Sequence, residues 1–80
     1  MSMKLTSFIK LQFGKTPDFI TMLKNIPEIS KILSITGEFS LIVEILAESS
    51  DHFVPIIEKI EKFSGILAIQ SHYVMAEWQK

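Results

Sequence analysis

Two hydrophobic periods take turns along this chain, and the order in which they do so leaves few folds open. From Lys4 to Phe13 the apolar residues Leu5, Ile9, Leu11 and Phe13 share one parity against Thr6, Lys10 and Gln12. That is the period of two expected of a strand with one polar side. Gly14-Lys15-Thr16-Pro17 breaks it. Thr16 suits a helix N-cap, Pro17 the first helical position, and Asp18 the positive end of the helix dipole. Ile20, Leu23 and Ile26, flanked by Phe19 and Met22, form a stripe at helical spacing,. Pro27 ends that helix, because the residue before a proline is held out of the helical region. Ile29, Leu33 and Ile35 alternate with Ser30, Ser34 and Thr36, and Leu41 to Leu46 is a further strand. Gly37-Glu38-Phe39 links the two runs as a hairpin. Ser49-Ser50-Asp51 opens a second helix whose apolar face is Phe53, Ile56, Ile57, Ile60 and Phe63. Pro55 lies near the end of its first turn, and Gly65 is placed to cap its other end. Ile66 to Met75 reads as the last strand, and Ala76 to Lys80 as a short tail.

The order β-α-β-β-α-β predicts an α+β, ferredoxin-like (βαββαβ) domain spanning residues 1–80. It is a four-stranded antiparallel sheet with two helices on one face. The other face carries Phe8, Ile32, Ile42, Leu46 and alternate positions of the last strand, a mixed surface rather than a polar one. A domain of 80 residues buries only about 60% of the surface its unfolded chain exposes and needs support from outside its own core,. Cysteine is absent, so neither a disulfide nor a thiolate metal site supplies it,. With 48% hydrophobic residues, the expected support is a second copy, sheet against sheet, in a dimeric α/β barrel-like assembly,.

Charge narrows the function classes. The net charge is −1 and all eight basic residues are lysine, so no basic stripe or arginine fork for nucleic acid is present,. No apolar run approaches the roughly 20 residues of a membrane span, and the start lacks a secretory signal, which gives a cytoplasmic expectation. His52 and His72 stand twenty residues apart without a carboxylate at ligand spacing, so no metal or cofactor is expected,. The Glu58-Lys59-Ile60-Glu61-Lys62 run reads as a solvated helix face,.

Four short motifs carry a family likeness: Pro27-Glu28-Ile29, Ile35-Thr36-Gly37-Glu38-Phe39, Leu41-Ile42-Val43 and Ser64-Gly65-Ile66. In these the chain resembles the effector (RAM) domain of the Lrp/AsnC transcription regulators, from about Ser7 to Glu77, in a stand-alone form without the helix-turn-helix. The resemblance implies sheet-to-sheet dimers that assemble further, for instance into octamers. Small effectors, typically amino acids, then bind in clefts between dimers. It implies a first ligand wall of Thr36, Gly37, Glu38, Phe39 and Ser40, and a second around Ile69, Ser71 and His72. Two positions depart from the family pattern: Ser40 stands where aspartate is common, and Ile69 where threonine is common. Full-length Lrp/AsnC regulators are the implied partners.

Three functions fit this reading. The first is a non-enzymatic domain that oligomerises, binds an amino acid and modulates regulators of amino-acid metabolism. The second is a purely structural oligomerisation module. The third is a small dimeric barrel monooxygenase using His72 and Trp78, and no triad, carboxylate pair or phosphate loop speaks for it.

Overall fold

Alternation decides the strands, and a single face of the sheet receives what they bury. In the computed structural model, which describes residues 2–80, β1 (Met3–Leu11), α1 (Thr16–Leu23), β2 (Ile29–Ser34), β3 (Leu41–Ala47), α2 (Ser50–Glu61) and β4 (Ile66–Tyr73) follow in the expected order. The sheet order is β2-β3-β1-β4, and every neighbouring pair is antiparallel. On the central strands, Leu5, Ile9 and Leu11 of β1 and Leu41, Val43, Ile45 and Ala47 of β3 are all buried. They share one core with Phe19, Leu23 and Ile26 from the first helical segment and with Phe53, Ile56 and Ile60 of α2. Both helices therefore cover the same sheet face. Each of these side chains larger than alanine contributes on the order of 1.5–3 kcal/mol by leaving water. Phe19 and Phe63 meet edge-on at 4.9 Å and close the core between the two helix ends.

One polar side chain lies inside. Ser7 has the parity of Leu5 and Ile9 and is fully buried, and its hydroxyl pairs with the Ser71 hydroxyl at 2.7 Å. That bond offsets the cost of removing a hydroxyl from water.

Several boundaries differ from the sequence expectation, each for a local reason. β1 ends at Leu11, and Phe13 beyond it is wholly exposed, because the chain turns at Gly14 before Phe13 can reach a neighbouring strand. Lys15 occupies the α1 cap position in place of Thr16, and no side chain caps either helix start. The buried stripe of α1 centres on Phe19 and Leu23, with Ile20 at its margin. The helix stops at Leu23, short of Pro27. Asn25 and Ile26 donate instead to Met22 and Leu23, three residues back, in the tighter turn that often finishes a helix,. Pro55 is the sixth residue of α2, on its exposed side, rather than near the end of its first turn.

The largest correction concerns β2. Its pairing with β3 slips between Ile29 and Lys31, so Ser30 is an extra residue in a bulge,. Ile29 pairs with Ile45, and Ile32 pairs with Val43, which places Ile32 on the core side. Leu33, opposite Ile42, goes to the open face and is 46% exposed. The sequence expectation had assigned Ile32 to the open face. β4 in turn ends at Tyr73, although the Val74 N–H still donates to the Lys4 carbonyl at 3.0 Å.

Ile9 and Phe13 have the same parity in the sequence and opposite fates in the fold, which gives a paired test. Ile9→Ala is expected to lower unfolding stability by about 2–5 kcal/mol through lost burial and the cavity left behind. Phe13→Ala should stay within about 0.5 kcal/mol of the parent. Urea unfolding followed by circular dichroism reads both.

Candidate ligand-binding and association site

The uncovered sheet face is built by the residues between the buried ones. Lys4, Thr6, Phe8 and Lys10 of β1 stand opposite Leu46, Glu44 and Ile42 of β3 on one side, and opposite His72, Gln70 and Ala68 of β4 on the other. Leu33, Ile42 and Phe8 thus make an apolar row across three strands. Lys31, Glu44, Thr6 and His72 form a polar row beside it.

At one end of this face the β2–β3 connection, residues 35–40, is anchored at its base. The Ile35 N–H donates to the Ser40 carbonyl at 2.9 Å. The Ser40 N–H donates to the Ile9 carbonyl at 2.8 Å, and the Ser40 hydroxyl accepts from the Leu11 N–H at 3.2 Å. Ser40 is thereby committed to holding the hairpin against β1. Between these anchors, the N–H groups of Thr36, Gly37, Glu38 and Phe39 enter no backbone hydrogen bond among the described residues. Gly37 has φ +109°, a conformation costly for any residue with a Cβ, and has no heavy atom within 4 Å of where a Cβ would stand,. The tip is an open run of backbone donors.

Phe39 leads from the tip back to the sheet. Its ring meets Phe8 edge-on at 5.8 Å, and Phe8 meets His72 edge-on at 6.1 Å. The structure therefore brings Phe39 and His72 to one aromatic cluster through Phe8, a residue the sequence reading placed on the open face without assigning it to the site. Ile69 and Ser71 lie on the opposite side of the sheet from His72, since neighbours in a strand alternate. Ile69 is paired with Ile9 and packs against the core, and Ser71 bonds Ser7. Ser71 also lines a groove of about 440 Å³ between β4 and α2, with Phe53, Val54, Ile57 and Tyr73. The two expected walls are thus divided: the hairpin and His72 share the open face, and Ile69 and Ser71 look toward the helices.

At the other end of the open face, Lys4 holds an ion pair with Glu77 at 2.6 Å and a looser one with Glu44 at 3.6 Å. The Glu77 hydrogen bond is the main reason that the Lys4 ammonium titrates above its usual range. The same bond holds the Glu77 carboxyl below its usual range. Ser30 donates its hydroxyl to Glu44 at 2.8 Å, tying the bulge into this cluster. At the start of α2, His52 stands 3.8 Å from Glu28 and both are partly exposed. No group of three or more His, Cys, Asp or Glu among the described residues could hold a metal ion, and no helix among them is long and apolar enough to cross a membrane.

With the hairpin, the sheet and their geometry established, comparison with known proteins places the domain. Residues 6–80 match the model of the Lrp/AsnC ligand binding domain. The chain belongs to that family. The Lrp/AsnC domain described here also superposes on solved structures across nearly its whole length. Escherichia coli AsnC gives a TM-score of 0.81 at 20% identity, with 94% of this chain covered and 52% of AsnC. A transcriptional regulator of Neisseria meningitidis, solved in complex with L-Met, gives 0.82 at 18% identity over 98% of this chain and 53% of its own. Hypothetical protein PHS023 of Pyrococcus horikoshii gives 0.78 at 25% identity over 96% of this chain and 93% of its own. The chain thus spans about half the length of AsnC and of the Neisseria regulator. No curated protein matches it.

The Lys4–Glu77 pair has a defined pH signature. A carboxyl whose pKa is depressed in the folded chain contributes stability above its ordinary value of 4.5 and loses it as pH falls through the lower folded value,. The raised Lys4 contributes below 10.5 and loses its share as pH rises through the higher folded value,. Between those limits the tail should be held, and below about pH 4.5 it should loosen. Anisotropy of the neighbouring Trp78 is expected to drop over that acid range in the parent chain and to be flat in Glu77→Gln.

Proposed function

We propose that this domain is a regulatory effector-binding module that pairs with a second copy through its open sheet face and takes an amino acid at the 36–39 hairpin tip. The observation that carries the ligand is the run of four uncommitted backbone N–H groups around an unobstructed Gly37. A carboxylate needs such donors, and glycine lets it approach the backbone closely. Glu38, exposed beside them, is placed to accept from the ammonium of a zwitterion, and Phe39 offers an apolar surface to its side chain. The L-Met complex of the Neisseria relative supports an amino acid as the class. In this reading a sister molecule closes the site, since the tip alone leaves a ligand open to water. A regulator carrying the same kind of domain could replace the sister molecule, and the modulation of transcription would follow from that exchange.

The reading includes no catalytic step. His72 is set edge-on against Phe8, an arrangement that suits packing, and the monooxygenase alternative draws no support from it. A purely structural module is separated from the proposed one by binding.

Thermal unfolding in the presence of each of the twenty amino acids tests the ligand. One that binds should add about 2.7 kcal/mol at a hundredfold excess over its Kd. Glu38→Gln should weaken that gain without altering the unliganded melting temperature, because Glu38 is exposed and outside the core. Absence of a gain with every amino acid would leave the structural module standing. Light scattering at tens of micromolar is expected to return at least twice the 9.1 kDa chain mass.

A further inference from the structure

The residues after β4 are tied to the Lys4 end of β1, yet their largest side chains touch little of their own protomer. The Val74 N–H bonds the Lys4 carbonyl, and the Glu77 carboxylate pairs with the ammonium of Lys4, a residue of the open side of β1. Between this arm and the end of the sheet a gap of about 320 Å³ remains, bounded by Lys4 and Leu46 of the open side, by Met3 and Tyr73 of the helix side, and by Met75 and Glu77 on the arm. Met75 is 93% exposed and Trp78 is 88% exposed. Side chains of this kind are normally found inside or at interfaces, and here two of them are carried on one ordered arm.

The apolar part of the sheet face is narrow. Phe8 and Ile42 are already half-buried, and Leu33 and Leu46 are 46% and 36% exposed. A stable pair of proteins removes roughly 800 Å² from each partner. An exposed tryptophan alone brings on the order of 200 Å². The arm therefore adds apolar area to that narrow row, and it is attached at Lys4, a residue of the same face.

From this we infer that Trp78, with Met75 beside it, is the anchor by which one copy grips another: the arm of each protomer lies against the open sheet face of its partner, on the apolar row Leu33, Ile42 and Phe8. The inference rests on the self-association proposed above and adds the surface that makes it tight. In a symmetric pair the contact occurs twice, since each arm meets the other's sheet. The Lys4–Glu77 and Val74–Lys4 bonds tether the arm beside β1, so the anchor has less freedom to lose on contact. That lowers the entropic cost of association.

The domain has one tryptophan, so its own emission reports the contact. Sedimentation equilibrium and tryptophan emission are to be followed over the same dilution series. The parent chain is expected to shift its emission to the red as it dissociates, with the midpoint of the spectral change at the dissociation constant from sedimentation. Trp78→Ala should raise that constant roughly thirtyfold or more, as loss of a central aromatic anchor does. Trp78→Phe should recover most of it. Trp78 lies outside the core, so circular dichroism of the variants serves as the check on folding. A parent dimer whose emission is unchanged by dilution, and whose constant is the same in Trp78→Ala, overturns the anchor and leaves sheet association standing. A parent chain that is monomeric throughout overturns both.

Discussion

Two helices share one side of a four-stranded sheet, and this one-sided cover governs the rest of the molecule. The cause is topological. β1 and β2 run parallel with β3 between them, and β3 and β4 run parallel with β1 between them. Each β-α-β crossover is expected to be right-handed, and two right-handed crossovers interleaved in this way put both helices on the same face. The buried side chains of β1 and β3 follow the helices to that side. What remains on the other side is a single apolar row between polar ones, too greasy to be a solvent face of no consequence and too narrow to be a core.

The hairpin and the arm stand at opposite ends of this face because they attach at opposite ends of β1. Ser40 ties the hairpin to Ile9 and Leu11, and Glu77 ties the arm to Lys4. Ser40 shows why a small hydroxyl suits this place. Its N–H, carbonyl and hydroxyl are all taken by neighbouring backbone, so it acts as a bracket, and the open donors of the tip are the backbone groups before it. The serine that stands here in place of the family's common aspartate serves to hold the hairpin against β1.

Order, strand identity and helix faces could be read from the residues because each rests on local period and on turn chemistry. Leu5, Ile9 and Leu11, or Phe53, Ile56 and Ile60, need no knowledge of partners to be assigned inward. The bulge at Ser30 could not be read this way. It transfers Ile32 to the core and Leu33 to the open face by inserting one residue into a pattern that looks regular. Only pairing with β3 reveals it. Phe13 misled for the complementary reason, since parity continues in the sequence after the strand has ended. In the candidate site, Gly37 announced a tip with backbone donors, and the separation of Ser71 from His72 was available from alternation alone. The meeting of Phe39, Phe8 and His72, and the grip of Glu77 on Lys4 across 73 positions, required the fold.

Phe8 connects the two ends in a way that bears on regulation. It belongs to the apolar row that a second copy would cover, and its ring also meets Phe39 at the hairpin. A ligand that draws Phe39 toward itself changes what Phe8 presents to a partner, and a partner that fixes Phe8 changes the ease with which Phe39 can move. Such coupling is reciprocal by thermodynamic necessity: whatever factor the ligand applies to self-association, self-association applies to the ligand. In the proposed reading, sharing a single phenylalanine between hairpin and apolar row would make ligand binding and pairing one equilibrium,.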